Sequence, residues 1–370
     1  MRGVSRTLVT LALAFALPGA AHAWGGATHH YIARNWSQHL PPEIDGLRAY
    51  DAVVDAHVTD ADTRRPYTPG EGPRHYIDID AYPEFLAGTL PHDRAELERR
   101  YGTGVVAANG IVPWAVADVV TTLAAQFRAA QWDASALTIA DLCHYVGDAT
   151  QPLHCTANFD GQQTGDPGVH ARYETDLMAL HLDELHTPAA GVTYDASPVD
   201  TMFAIVTASW RDVAPLVAAD LGALSETQGT IDDNYWASLW SGVGAFTRER
   251  IDAATRATAS FVYTAWVRAG QPVVPGSSGT PSVESIDTGP RLDVGPVPFR
   301  EALAIRWASG AVPVDVDVFD VRGTRVDHVI DRTPSGTSRW RPAAHVRSGV
   351  YFVRMRGAGV EVSRRVLLAR

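Results

Sequence analysis

The sequence predicts a mainly α-helical domain followed by a small all-β sandwich. Up to about residue 268 the apolar residues recur with a helical period, most clearly between Ile111 and Gln131. At 314–318 the period changes to two (Val-Asp-Val-Asp-Val), which is typical of a half-buried strand. Between the two regions, residues 270–290 are rich in Gly, Pro and Ser and lack apolar periodicity, which indicates a flexible linker.

The first 23 residues have the pattern of a secretory signal peptide. Arg2 and Arg6 precede an apolar run from Leu8 to Leu17, and residues 21–23 (Ala-His-Ala) form a small-x-small cleavage site. The apolar run is too short to span a bilayer. We therefore expect a secreted, periplasmic or cell-surface bacterial protein that begins at Trp24 and has no transmembrane segment in its mature chain.

Residues 24–269 are predicted to form the helical domain. Pro113 falls in the first turn of a predicted helix, where proline is tolerated. The ranges with helical periodicity are 111–131, 135–150, 169–185, 198–224 and 234–268. The stretch 51–91 is rich in Asp, Pro and Gly, so we expect it to be irregular.

A linker at 270–289 is predicted to lead into a β-module at 290–370 with five to seven short strands. Two of the strands, 349–356 and 360–368, flank a Gly-Ala-Gly turn and predict a hairpin. The charge also changes at this boundary, because residues 24–289 contain 15 Arg and 34 acidic residues, whereas 290–370 contain 14 Arg and 8 acidic residues. The acidic helical domain disfavours tight binding to long polyanions, whose affinity comes largely from Lys/Arg–phosphate contacts.

Five residues that can bind metal or transfer protons lie within one 31-residue stretch of the helical domain. They are His144, Asp148, His154, His170 and Glu174. Two pairs among them are spaced i, i+4, which places both members on one face of an α-helix. Imidazole and carboxylate ligands suit Zn²⁺, so this stretch predicts a zinc site.

Signal-peptide cleavage would leave Trp24 with a free α-amine. An amine with a pKa near 8 can lose its proton to a metal, and with its own carbonyl oxygen it makes a five-membered chelate. Trp24 could instead simply begin a helix and fill the core, and the residues alone leave both readings open.

Several ordered motifs resemble the superfamily of zinc-dependent phospholipases C and fungal single-strand-specific zinc nucleases. They are Trp-x4-His from Trp24, RHYID at 74–78, HYVGDATQPLH at 144–154, and His170-x3-Glu174. The resemblance covers residues 24–270. It implies an all-helical domain that binds three zinc ions in a deep cleft and hydrolyses phosphodiesters.

The resemblance also assigns roles residue by residue. It implies that Trp24 and His29 bind one zinc ion, that His75 and His144 bind a second, and that Asp148 bridges the two. The third ion is expected on the remaining ligands of the 31-residue stretch, which are His154, His170 and Glu174. His30 is an alternative to His29, but the spacing from Trp24 favours His29.

An acidic residue in the stretch 57–65 (HVTDADTRR) should match the cleft carboxylate of the family. That group contacts the second ion and orients or deprotonates the attacking water, so the resemblance makes it both a ligand and a catalytic residue, together with Asp148. Asp60 aligns best with the Asp-Pro-Asp pattern of the phospholipase branch. Asp62 is the alternative acid, because the Ala-Asp-x-x-Arg pattern of the nucleases fits it.

Other polar residues near these motifs have alternative roles. Asn158 either orients a ligand from the second shell or caps a turn, and Asp78 and Asp80 are read as structural or second-shell partners. His57 is read as a surface or second-shell residue. Cys143 and Cys155 could pair in a secreted protein, and the sequence leaves this open.

The two branches of the family predict different substrates. Glu174 as the last ligand and the short stretch between His154 and His170 favour a phospholipid, whereas Gln151-Pro152-Leu153 and the Trp24–His29 spacing are typical of the nucleases. We expect a phospholipase C-like enzyme, with a single-strand nuclease or nucleotidase as the alternative. Tyr67, Tyr76 and Phe159 are candidates for stacking or lipid contact, and core packing is the alternative for each. A non-catalytic metal-binding or adhesive protein is the third hypothesis.

The tail resembles the immunoglobulin-like sorting modules of secreted bacterial proteins, similar to those of the type 9 system. The residues that carry this resemblance are VFDVRGTRV at 318–326 and SGVYFVRMRGAGVEVSRRVLL at 348–368. It implies attachment to the secretion machinery or to the cell surface. A carbohydrate- or partner-binding module is the alternative.

Overall fold

The computed structural model describes residues 24–279, 291–295, 297–309, 313–333, 335–357 and 360–369. A helical region is followed by two antiparallel sheets, which confirms the predicted fold class. The predicted signal peptide, the second half of the predicted linker (280–289) and residues 358–359 of the predicted hairpin turn lie outside the described residues.

Thirteen α-helices form the helical region within residues 24–279. They are α1 Gly26–Asn35, α2 Asp51–His57, α3 Asp60–Arg64, α4 Pro83–Leu86, α5 Arg94–Tyr101, α6 Thr103–Ala108, α7 Val112–Arg128, α8 Trp132–Thr150, α9 Val169–Ala171, α10 Met178–His181, α11 Pro198–Arg211, α12 Val213–Glu226 and α13 Asp233–Arg268. Short 3₁₀ turns at 72–75 and 152–155 and a π-helical turn at 172–177 complete the part that positions the site.

Helix α8 lies at the centre of this region. It packs against α1, α2, α7, α11 and α13, and every residue from Leu142 to Thr150 is buried. A helix that is buried on all sides is usually hydrophobic on all sides. Here the buried positions include His144 and Asp148, so polar side chains point into the core from the helix that the other helices surround.

The stretch 51–91 differs from the prediction, because it contains α2, α3 and α4 in addition to irregular backbone. The predicted helix 169–185 also differs. It begins as one α-helical turn, widens into the π-helical turn Arg172–Leu177 and returns to α-helix at Met178. Such π-helical turns inside α-helices are frequently found at functional sites.

One described stretch, Pro198–Glu226, is long and apolar enough to cross a membrane by length and composition alone. It comprises α11 and α12, and a core helix passes the same test. Ser209 in α11 donates a hydrogen bond to the carbonyl of Ala149 at 2.9 Å, which holds α11 against the end of α8. The absence of a membrane span from the mature chain therefore stays a prediction.

The first part of the predicted flexible linker is held against the helical region. Val274 is 2% exposed, and Trp266 Nε1 donates to the carbonyl of Pro272 at 2.8 Å. Ser278 donates its backbone N–H to Asp45 Oδ1 at 2.7 Å. Gly, Pro and Ser suit an irregular bound segment as well as a free one, which is why composition alone did not distinguish the two.

Seven strands are described in the β-module. They are β1 Arg291–Gly295, β2 Leu303–Ala308, β3 Val314–Asp320, β4 Arg325–Thr333, β5 Ser335–Trp340, β6 Gly349–Gly357 and β7 Val360–Leu368. They form a sheet of order β1-β2-β5 and a sheet of order β4-β3-β6-β7. Val314, Val316 and Val318 are buried while the alternate aspartates face outward, as the period of two predicts.

Candidate metal centre

Seven elements of the helical region bring eight predicted or alternative ligands together. The residues are His29 from α1, Asp62 from α3, His75 from the turn 72–75, His144 and Asp148 from α8, His154 from the turn 152–155, His170 from α9 and Glu174 from the π-helical turn. All are fully or nearly buried except Asp62, whose side chain is 11% exposed. Their ligand atoms form three groups that could each hold a metal ion, and two of these groups share His144.

The first group centres on Asp148. Its Oδ2 lies 2.9 Å from His75 Nδ1 and 3.4 Å from His144 Nε2. The spacing of His144 and Asp148 on α8 places both on one face of the helix, as predicted from their i, i+4 positions.

The second group shares His144 and adds His29 and Asp62. The rings of His29 and His144 stack with centroids 4.0 Å apart, and His29 Nε2 lies 3.4 Å from Asp148 Oδ1. Asp62 Oδ1 lies 3.6 Å from both His75 Nδ1 and His144 Nε2. Asp148 therefore faces His29 with one oxygen and His75 with the other, which is the arrangement that a bridging carboxylate requires.

The third group is made of His154, His170 and Glu174. Glu174 Oε2 lies 2.9 Å from His170 Nε2 and 3.7 Å from His154 Nε2. Gln151 donates to the same Glu174 oxygen at 3.0 Å. The predicted i, i+4 pair does share a face, although the turn that carries Glu174 is π-helical.

Backbone carbonyls hold three of the imidazole rings by their Nδ1 atoms. His144 pairs with the carbonyl of Val58, His154 with that of His75 and His170 with that of Phe159, each at 2.8 Å. A carbonyl can only accept, so each Nδ1 carries a proton, and in the neutral ring Nε2 has a lone pair that points into the site.

The electrostatics of the cluster favour ionised carboxylates. Burial alone would raise the pKa of Asp148, but the facing rings of His144, His29 and His75 hold it well below its usual value. Burial would also raise the pKa of Glu174, and His170 and His154 lower it. Burial and the neighbouring His144 lower the pKa of His29, so its ring is neutral and can offer a lone pair.

The structure does not bring Asp60 into this cluster. Its side chain is 52% exposed and forms a 2.7 Å contact with the exposed ring of His57. Asp60 and Asp62 are two residues apart on α3, about 200° around a helix, so only one of them can face the site. In this structure that residue is Asp62, the alternative acid, while the choice of the cleft carboxylate between the two stays a prediction.

Trp24 lies beside the third group. Its ring is fully buried, packs 5.4 Å from Tyr173 and donates from Nε1 to Thr150 Oγ1 at 3.4 Å. The next residue, Gly25, donates its N–H to the backbone carbonyl of Glu174 at 3.2 Å. The side chain therefore fills the core, while the role of its amine and carbonyl as ligands stays a prediction.

Asn158 contacts none of the predicted ligands directly. Its side chain accepts from the N–H of Gln163 at 2.7 Å and donates to Thr164 Oγ1 at 3.0 Å, so it caps the loop that begins after His154. The adjacent carbonyl of Phe159 is the one that anchors His170. Asn158 thus helps to shape the loop that contains this carbonyl, and its role at the site stays a prediction.

Sequence reasoning missed or left open several residues that support the ligands. Gln151 binds Glu174, and Glu71 lies 3.6 Å from the Nε2 atom of His75. Asp80 accepts from Thr156, from the N–H of Ala157 and from Trp210, which fixes the backbone just after His154. The only available signal was their position within the quoted motifs or next to them.

The two cysteines are both buried and free, so no disulfide joins them. Cys155 Sγ donates to the carbonyl of Ala149 at 3.4 Å. Burial raises the pKa of both thiols, which keeps them protonated and makes them poor zinc ligands.

The donor set fits zinc. Within residues 24–279, the buried atoms His29 Nδ1, His29 Nε2 and Asp148 Oδ1 have no hydrogen-bond partner, and a buried polar atom without one is costly. A cation bound between the imidazole nitrogens and carboxylate oxygens would satisfy the two atoms that face each other, His29 Nε2 and Asp148 Oδ1. Nitrogen and oxygen ligands of this kind are those that Zn²⁺ takes in proteins.

Comparison with known proteins gives little beyond overall form. No family profile and no curated protein matches the sequence. Among solved structures, the alpha toxin from Clostridium absonum is 11% identical over 93% of this chain and 96% of that chain, with a TM-score of 0.38. The alpha-toxin of Clostridium perfringens from the avian strain SWCP is 11% identical over 94% and 100%, with a TM-score of 0.41. Superpositions at this level assign no residue and no substrate.

Proposed function

We propose that this chain is a secreted, zinc-dependent phosphodiester hydrolase, with a phospholipid as its substrate. The observation that carries the proposal is the convergence of eight separated ligands in the helical region, in three groups of which two share His144. The order of these residues along the chain resembles that of the zinc phospholipase C and single-strand nuclease superfamily. Three zinc ions are expected from that resemblance.

The residues divide between a pair of metal sites and a separate third site. His29, His75, His144 and Asp62 would hold two ions with Asp148 between them, and Trp24 would complete one of these sites once the signal peptide is removed. His154, His170 and Glu174 would hold the third ion. Zinc, when bound, supplies a nucleophile near neutral pH and positive charge for the phosphoryl oxygens.

Asp62 is the candidate proton acceptor. It is the most exposed carboxylate of the cluster, at 11%, whereas Glu174 is 2% exposed and Asp148 is fully buried. Burial would raise the pKa of Asp62, but the hydrogen bond and charge of His144 bring it below the usual value, so the group is ionised near neutral pH. An ionised carboxylate at the edge of the site can orient water and accept its proton.

The test uses the mature protein beginning at Trp24. We expect about three zinc ions per chain by elemental analysis, and chelator-sensitive release of diacylglycerol from phosphatidylcholine vesicles. His154→Ala should lose zinc and activity, while the control His57→Ala, at an exposed ring, should keep both. Absence of zinc together with inactivity on every phosphodiester would refute the proposal and favour the non-catalytic, adhesive alternative.

A single-strand nuclease or nucleotidase is the second candidate, and one observation favours it. The ring of Phe159 is 46% exposed and lies 6.3 Å from the ring of His170, where a nucleobase could stack. Single-stranded DNA belongs in the same assay, with and without chelator. Cleavage of DNA without diacylglycerol release would assign the chain to this branch, and Phe159→Ala should then raise KM more than it lowers kcat.

We propose further that the β-module attaches the protein to the secretion machinery or to the cell surface. The module is predicted from 290 onward, and its arginine excess contrasts with the acidic helical domain. The full chain should fractionate with cells or with a surface complex, and a chain ending at Gly279 should be released while keeping its zinc. Equal release of both chains would refute the attachment role.

A further inference from the structure

His75 faces the site with the opposite nitrogen from three other histidines of the cluster. His144, His154 and His170 present Nε2, because their Nδ1 atoms are bound to backbone carbonyls. His75 presents Nδ1, which lies 2.9 Å from Asp148 Oδ2 and 3.0 Å from His144 Nε2. Its Nε2 therefore points away from the other ligands and needs a different partner.

The group that faces this nitrogen is Glu71. Its Oε1 lies 3.6 Å from His75 Nε2, and its side chain is 6% exposed. Glu71 precedes His75 by four residues and lies at the N-cap position of the turn 72–75. Within residues 24–279, His75 Nε2 is buried without a hydrogen-bond partner, so a small movement toward Glu71 would satisfy it. Binding of a cation at Nδ1 would favour that movement, because the proton must then reside on Nε2.

Glu71 is itself held in place by a buried network. Tyr145 donates its hydroxyl to Oε1, and Arg64 Nε lies 3.2 Å from Oε2. Arg64 also donates to Tyr145 at 2.8 Å and to Asp141 at 2.9 Å. These contacts fix the direction of the Glu71 carboxylate as well as its charge. They hold Glu71 Oε1 on the side that faces His75.

We propose that Glu71 is a positioning residue that keeps the His75 proton on Nε2, so that Nδ1 is free to bind zinc. The inference rests on the proposed zinc site and adds to it the carboxylate that orients one ligand. Carboxylate–histidine–metal arrangements fix the tautomer and raise the basicity of the ligand, and their removal weakens metal binding about 10–100-fold.

The geometry also predicts which ion is affected. Glu71 contacts the His75 ring, whereas the His75 carbonyl supports His154 of the third group. Glu71→Gln changes the ring contact and leaves the carbonyl unchanged. We therefore expect one zinc ion to weaken and the ion on His154, His170 and Glu174 to keep its affinity.

The test is a competition titration of the mature, full-length chain with zinc and a chromophoric chelator. Glu71→Gln should weaken one ion about 10–100-fold, and the ¹⁵N resonances of His75 in the zinc-loaded protein should lose the pattern of an Nε2-protonated ring. The control is Glu84→Gln, because Glu84 accepts from Tyr101 and contacts Arg100 but no histidine. The control should leave every zinc affinity within about twofold of wild type.

A second variant tests the same role if Glu71→Gln does not fold. Tyr145→Phe removes the hydroxyl that orients Glu71, keeps the carboxylate, and should weaken the same ion by a smaller factor. Unchanged zinc affinities and an unchanged His75 spectrum in a folded variant would overturn the positioning role alone. A wild-type chain that binds no zinc would overturn the zinc site and this inference together.

Discussion

Exchanging the two carboxylates of α3 for amides, one at a time, tests the site most directly. Asp62→Asn and Asp60→Asn make the same chemical change two residues apart. Asp62 faces the histidines with a side chain 11% exposed, and Asp60 faces solvent with a side chain 52% exposed. Any difference in their effects therefore reports the position of the carboxylate and not its chemistry.

The expected magnitude follows from the distances. Asp62 Oδ1 is 3.6 Å from the nearest nitrogens of His75 and His144. At that separation and an effective dielectric of about 20, the carboxylate and one unit of positive charge held at those nitrogens would interact by roughly 4–5 kcal/mol. Each ~1.36 kcal/mol is a factor of ten in rate, so we expect kcat/KM to fall by about 10³, within the range of ~10²–10⁴ for loss of a general base.

Asp60 should matter far less. An exposed pair such as Asp60 with His57 contributes about 0–1 kcal/mol. Asp60→Asn should therefore change kcat/KM by less than about fivefold. The assay is hydrolysis of bis(para-nitrophenyl) phosphate by the mature, zinc-loaded protein, with zinc counted in each variant. Full activity in Asp62→Asn, or a loss of about 10² or more in Asp60→Asn, would refute the assignment.

Three further predictions concern the backbone, the pH dependence and the linker. A Cβ at Gly147 would lie 3.1 Å from His29 Nδ1, so Gly147→Ala should displace that ring and release one zinc, whereas Gly104→Ala, in open space, should not. Burial and a neighbouring carboxylate raise the pKa of Asp78 to about 7, above its unfolded value of 3.8, so the contribution of Asp78 to stability should fall as pH rises from about 4 to 7. Asp78→Asn should remove that fall, so its melting temperature relative to wild type should increase across this range; a constant difference would contradict the shift. Ending the chain at residue 269 instead of 279 deletes a segment that contains the buried Val274. The free energy of unfolding in urea should fall by roughly 1.5–3 kcal/mol, and equal midpoints for the two chains would show that the segment contributes nothing.

The periodicity of the sequence predicted the fold because burial has the same period as the backbone. A stripe of apolar residues recurs along α7, and β3 alternates valine with aspartate, so each pattern identifies one element. The ligands were found for a related reason. His144 and Asp148 lie on one face of α8 whatever the rest of the chain does, so spacing alone places them together.

The choice between Asp60 and Asp62 depended on information that the sequence does not display. The face on which each residue lies is set by where α3 begins, and this short helix starts at Asp60 itself, after the turn that ends α2. Glu71 was missed for a similar reason. It precedes His75 by four residues in a stretch with Gly and Pro, where no helical period predicts that the two side chains approach each other.

The cluster explains how a hydrophobic core can contain so many ionisable groups. Burying a single charge costs several kcal/mol unless it is paired. In this core each carboxylate faces two or more imidazole rings: Asp148 faces His29, His75 and His144, and Glu174 faces His154 and His170. Neutral rings cannot balance those negative charges, and protonated rings could not act as ligands, so the arrangement is fully compensated only when cations lie between them. The free-energy cost of this core without a metal therefore favours metal binding. As a result, folding and zinc binding in this chain should be linked.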